Sequence, residues 1–106
     1  MNIQQMMKQA QQMQVKMQEM QEKLGDMEVQ GASGGGLVNI TMTCKGEVRK
    51  VAINPEVIRP DERETLEDLV MAAVNMARQR ADETLAEETR NMMAEFGMPA
   101  DAKLPF

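Results

Sequence analysis

Two runs of alternating apolar and polar residues, Leu37–Cys44 and Glu47–Asn54, meet at Lys45-Gly46. A period of two is the mark of a half-buried strand, and a glycine at the junction supplies the backbone freedom of a tight turn. The pattern therefore predicts a β-hairpin. If Lys45-Gly46 is a two-residue loop, Cys44 lies opposite Glu47, Met42 opposite Arg49, Ile40 opposite Val51 and Val38 opposite Ile53. In that register Val38, Ile40, Met42, Cys44, Val51 and Ile53 share one face. Asn39, Thr41, Thr43 and Lys50 fall on the other, with Val48 and Ala52. A slip of one residue would scatter the apolar set over both faces.

An apolar sheet face must be covered, and the flanking sequences are helical by pattern. Residues 2–25 are rich in Gln, Met, Lys and Glu and contain no Gly or Pro before Gly25. Within them Ile3, Met6, Ala10, Met13, Met17, Met20 and Leu24 step by three and four, an a/d seam that calls for a partner helix. Gly25 is expected to end this helix in a left-handed conformation. Asp26–Gln30 then reads as a short first strand, and Gly31–Gly36 as a flexible connection to the hairpin.

After Pro55 and Pro60, Asp61 is placed as the N-cap of a second helix, with Glu64 at capping-box spacing. Leu66, Leu69, Val70, Ala73, Val74, Met76 and Ala77 form a broad apolar face suited to packing on the sheet. Beyond Arg78 the stripe narrows to Ala81, Leu85, Met92 and Phe96, and Gly97 and Pro99 end the helix. At 1.5 Å per residue the two helices would be about 36 and 52 Å long. A compact domain of this size has a radius of gyration of only ~13 Å, so the helices must project beyond the sheet. The fold class expected is α+β in the order α-β-β-β-α, a single domain. Its segments are an N-terminal arm (1–25), a three-stranded sheet (26–55), a C-terminal helix (61–97) and a tail (98–106).

Of 106 residues, thirteen are methionine and two are aromatic. Such a core buries modest area, so stability shared with a second copy is expected. The lone Cys44 excludes an intramolecular disulfide and reads as a buried thiol in a reducing compartment. With no secretory leader pattern and no apolar run near 20 residues, a cytoplasmic protein without membrane contact is expected.

The chemistry of catalysis is poorly represented. There is no histidine, one cysteine, and no Cys/His metal spacing. Gly31–Gly36 is not followed by a helix or by Gly-Lys-Ser/Thr, so a phosphate-binding loop is not supported. No enzyme activity, cofactor, metal or small-molecule substrate is expected. The net charge of −5 argues against a general polyanion binder. Residues 1–18, however, carry two charged side chains, Lys8 and Lys16, both positive.

The ordered set of segments resembles one family. It comprises the opening helix MMKQAQQMQVKMQEMQEKL, then GASGGGLV, KGEVRKVAINPEVI and LEDLVMAAVNMA. Together they are similar to the YbaB/EbfC nucleoid-associated proteins over nearly the whole chain. Where members often have Asp-Pro-Glu before the second helix, Arg59-Pro60-Asp61-Glu62 stands here. The resemblance implies a tweezer-shaped homodimer joined through sheets and second helices, with projecting arms that bind double-stranded DNA. It also implies a bacterial, nucleoid-associated location and effects on nucleoid organisation, gene expression or recombination repair.

No fixed DNA-reading motif carries over residue by residue; among basic residues of the matching helices, the DNA-binding residues expected are Lys8, Lys16 and Lys23 of the first and Arg80 and Arg90 of the second. Lys8 and Lys16 are favoured because acidic residues appear only later in the first helix. The core and dimer residues expected are Val38, Ile40, Met42, Val51, Ile53, Leu66, Leu69, Val70 and Ala73. A competing reading is a protein-interaction or holdase-like module that grips other proteins with methionine-lined arms.

Overall fold

The computed structural model describes residues 2–97. The order is helix α1 (Ile3–Asp26), strands β1 (Glu28–Ser33), β2 (Val38–Thr43) and β3 (Val48–Ile53), and helix α2 (Arg63–Glu95). Single turns of 3-10 helix at Pro55–Val57 and Pro60–Glu62 connect β3 to α2. This is the expected α-β-β-β-α architecture. The tail at 98–106, with the Pro99 stop, lies outside the described residues.

The sheet is antiparallel in the order β1-β2-β3. Its outer register is the predicted one, with Val38 opposite Ile53 and Ile40 opposite Val51. Near the turn the register differs. The loop has three residues, Cys44-Lys45-Gly46: the Gly46 N–H donates to the Thr43 carbonyl at 2.9 Å, and the Thr43 N–H donates to the Glu47 carbonyl at 2.8 Å. Gly46, at φ +96°, supplies the left-handed residue that such a loop requires. The Thr43 hydroxyl, buried, accepts from the Glu47 N–H at 3.1 Å and fixes the corner.

The longer loop displaces β3 by one residue, and a bulge between Thr41 and Met42 restores the outer pairing. Met42 consequently faces Val48 rather than Arg49. Directly paired residues share a face, so Val48 joins Val51 and Ile53 on the apolar side, not the polar side on which simple alternation put it.

β1 is longer than expected. Gly31, Ala32 and Ser33 are strand residues paired with Ile40, Asn39 and Val38, so the glycine connection shrinks to a turn over 34–37. Gly31 is where α2 crosses the sheet most closely. A Cβ there would meet the Ala73 carbonyl and approach the Ala77 amide nitrogen to 2.5 Å. Ala73, Ala77 and Ala81 are fully buried against Val38, Ile40 and Met42. Leu66, Leu69, Val70, Val74, Val29 and Ile53 pack around them, half-buried.

Two helix boundaries differ from the expectations. Gly25 stays helical, and α1 ends at Asp26, with the Met27 N–H donating to the Lys23 carbonyl. At its start, the Asn2 side chain accepts from the Gln4 N–H. Asp61 lies inside the 3-10 turn Pro60–Glu62, so α2 begins after Glu62 without a side-chain cap. Pro60 forces a tight turn that consumes the intended cap position. At the other end Gly97, at φ +69°, follows the last turn as expected.

The molecule measures 70 × 22 × 17 Å with a radius of gyration of 19.3 Å. α2 carries on past the sheet, and the second half of the α1 seam packs on its end. Met20, Leu24 and Cys44 are buried there against Met92, with Leu85 and Phe96 beside them. The seam's partner is therefore the chain's own second helix. Toward its start the seam is bare: Ile3 and Met6 are exposed, as is Met7 beside them.

Candidate nucleic-acid interface

The arm is an antiparallel pair built from α1 and the last turns of α2. Its polarity is recorded by two ion pairs of opposite sequence sense. Lys16 Nζ lies 3.3 Å from Glu95 Oε1. Lys23 Nζ lies 3.2 Å from both carboxylate oxygens of Glu88. In each helix the two positions are seven residues apart and so fall on one stripe. Lys16 is also 3.8 Å from Glu19.

Beyond this clasp no other described element accompanies α1. Gln5, Lys8, Gln9, Gln12, Val15 and Lys16 line an open groove of about 1020 Å³, which Glu95 and Phe96 close at one end. Lys8 has no carboxylate within 4 Å among the described residues. The larger share of the groove wall is apolar, from Val15, Phe96 and side-chain methylenes; its polar groups are amides and ammoniums that donate hydrogen bonds, with Glu95 the one acidic member among the described residues.

The arginines are distributed differently. Arg80 lies over the sheet, where its Nη1 donates to the Gln30 carbonyl at 2.6 Å. Arg90 is exposed on α2 and has no carboxylate within 4 Å among the described residues. Arg49 is held at the end of the sheet by Glu47 at 3.2 Å and the Gly25 carbonyl at 3.3 Å. The fold thus brings Lys8 and Lys16 to one groove and Lys16 and Lys23 to one clasp, and leaves Arg80 elsewhere.

Sequence reasoning passed over the acidic partners. Glu88 lies 65 positions from Lys23 and Glu95 lies 79 from Lys16. The seven-residue spacing they share with Lys16 and Lys23 was the available signal.

Cys44 sits beneath the clasp. Burial pushes its thiol pKa up; a hydrogen bond with Thr84 opposes this, and the Glu88 charge adds to it. It is the neutral, poorly nucleophilic form that occupies this core. Among the described residues no group of His, Cys, Asp and Glu is placed to hold a metal ion. No described helix is long and apolar enough to cross a membrane.

The YbaB/EbfC DNA-binding family model matches residues 1–96. A nucleoid-associated protein of Rhodospirillum centenum is 47% identical over 105 residues, covering 99% of this chain and 98% of that one. Another, from Nitrobacter hamburgensis, is 49% identical over 94 residues, covering 89% of each. The crystal structure of an uncharacterized protein from Helicobacter pylori superimposes with a TM-score of 0.77. It covers 88% of this chain and 98% of its own at 22% identity, a likeness of fold. Matched along its described length by the family model and along nearly all of its sequence by these relatives, this chain belongs to the YbaB/EbfC DNA-binding family.

Proposed function

We propose that this protein is a nucleoid-associated DNA-binding protein that acts as a homodimer. It contacts the phosphates of duplex DNA through its helical arms and reads bases little. The observation that carries the reading is the first half of α1, which no other described element covers. Its charged side chains are Lys8 and, at the edge of the clasp, the ion-paired Lys16; its flanks are glutamine, and it extends past the acidic body of the chain. Ammonium and amide donors suit a phosphate backbone and are indifferent to sequence. Cations drawn to the far end of an elongated acidic molecule can meet DNA while the body stays clear of it.

The homodimer is supported by the off-centre seat of α2. The helix lies over β1 and β2 and leaves β3 bare, so Val48 and Val51 are about half exposed on the apolar side of the sheet. A second copy covering this strip would give two arm pairs, the arrangement of a clamp.

Fluorescence anisotropy of a labelled duplex titrated across a salt series tests the proposal. Phosphate-led binding gives micromolar or tighter affinity that falls steeply with salt, and the slope counts the phosphates neutralised. No binding at low salt would overturn it. The exposed Ile3, Met6, Met7 and Val15 favour a second reading, capture of unfolded protein by the arm. Suppression of aggregation of a denatured client, unchanged by Lys8→Glu/Lys16→Glu, would mark that activity as separate from DNA binding.

A further inference from the structure

The two edges of the sheet are treated differently. In an antiparallel ladder successive residues point their N–H and C=O groups alternately toward the partner strand and away from it. The Met27 carbonyl accepts from the Cys44 N–H, so residue 27 pairs inward and Gln30 and Ala32, offset from it by odd numbers, point outward from β1. Two of the three outward positions of β1, Gln30 and Ala32 but not Glu28, are engaged by α2, each through one backbone group. The Arg80 guanidinium donates to the Gln30 carbonyl at 2.6 Å, and the Ala32 N–H lies 3.5 Å from the Met76 sulfur. They are four residues apart, one helical turn, and flank the contact of Ala77 on Gly31.

On the opposite edge the Asn54 N–H donates inward to the Leu37 carbonyl, which makes Ile53 and Val51 the outward residues of β3. No side chain or turn among the described residues bonds to their backbone groups. The bare edge and the bare apolar strip, Val48 and Val51, belong to the same strand.

We propose that Arg80 and Met76 close the β1 edge of the sheet, so that pairing between copies runs through β3 alone and stops at two. Arg80 is then an assembly-limiting residue and not a DNA contact. An open sheet edge is a template for a further strand, and a chain with two open edges adds copies without end. Sealing one edge with its own helix converts such a chain into one that forms a closed pair. The inference rests on the homodimer proposed above and names what ends its growth.

Sedimentation velocity over a wide concentration range tests it on the full-length chain. Arg80→Ala removes the donor, and its sedimentation coefficient is expected to climb with concentration past that of the wild type. Arg80→Lys keeps an N–H donor of nearly the same reach and is expected to stay at the wild-type size. Arg80→Ala sedimenting like wild type throughout would overturn the proposal, as would equal growth of the Lys variant. Should Arg80→Ala lose helix by circular dichroism, Met76→Leu decides: leucine fills the space without the sulfur acceptor. Exchange of the Ala32 amide is then expected to rise several-fold, and an unchanged rate overturns the proposal. A monomeric wild type would sink the homodimer, a different result from a variant that keeps the wild-type size.

Discussion

Lys16 is held 3.3 Å from Glu95, a residue 79 positions later in the chain. Together with Lys23 and Glu88 it makes the arm of this protein an ion-paired antiparallel helix pair. Two of the arm's three lysines are therefore balanced by carboxylates within the chain. Exposed pairs of this kind add little to stability, on the order of 0–1 kcal/mol each. In the binding mode proposed above, a phosphate would have to displace Glu88 or Glu95 to gain the ammonium group.

Glu88→Gln/Glu95→Gln is accordingly expected to tighten duplex binding several-fold at low salt. The comparison that isolates the clasp is Glu62→Gln/Glu64→Gln, the same charge change at the far end of α2. Equal gains from the two pairs, measured by anisotropy, would mean that net charge alone matters and that the clasp is incidental.

Lys8 differs from its neighbours in having no carboxylate close by among the described residues. Lys8→Ala is expected to weaken binding of all duplex sequences alike. It should also lower the salt slope by about one for each phosphate no longer neutralised. Lys8→Glu/Lys16→Glu is expected to abolish binding at physiological salt with the circular dichroism spectrum unchanged. Retained affinity would take α1 out of the interface.

Much of this could be read from the sequence, for physical reasons that also mark where the reading stopped. Alternation in Leu37–Ile53 fixed which residues of the outer hairpin face each other, since only one register gathers Val38, Ile40, Val51 and Ile53. It missed the bulge because a three-residue loop with Gly46 is as good a turn as a two-residue one, and nothing local distinguishes them. Gly31 looked like loop for want of a side chain. Its place in β1 follows from the approach of Ala73 and Ala77, a tertiary fact. The same holds at the site: Lys8, Lys16 and Lys23 were legible as arm cations, but their pairing state depended on the far end of α2. Arg80, expected as a DNA contact, is engaged at the sheet edge.

Gly31→Ala is the sharpest test of that packing. The added methyl group meets backbone atoms of α2, which cannot give way as a flexible side chain would. Overpacking of this kind costs roughly 1–3 kcal/mol, against a total stability of about 5–15 kcal/mol for a domain. Chemical denaturation should show the loss as a lower midpoint with the slope unchanged. A wild-type midpoint would mean that α2 can lift from β1 at no cost.

The Cys44 thiol is expected to resist alkylation between neutral pH and the pH where an exposed cysteine ionises. Burial keeps it protonated, and the Glu88 charge opposes the thiolate. Because the folded-state pKa is raised, stability is unaffected below the thiol's ordinary range. It falls as pH rises through that range toward the folded value, where only the unfolded chain gains from ionising. Cys44→Ala should remove that alkaline loss, and rapid labelling of native protein at neutral pH would contradict the buried assignment.

Val51 and Ile40 are directly paired across the hairpin on one sheet face, yet one is half exposed and the other fully buried. α2 accounts for the difference, since it covers β2 and stops short of β3. A charge at position 40 has no route to water, so Ile40→Asp is expected to unfold the chain, with loss of its circular dichroism signal. A charge at position 51 is solvated in an isolated chain and unsolvated only beneath a second copy. Val51→Asp is therefore expected to keep the helical spectrum and to sediment as a monomer, with DNA affinity lowered by the loss of the second pair of arms. A folded Val51→Asp dimer would place the interface elsewhere, and a folded Ile40→Asp protein would contradict the packing of Ala73 and Ala77 on β2.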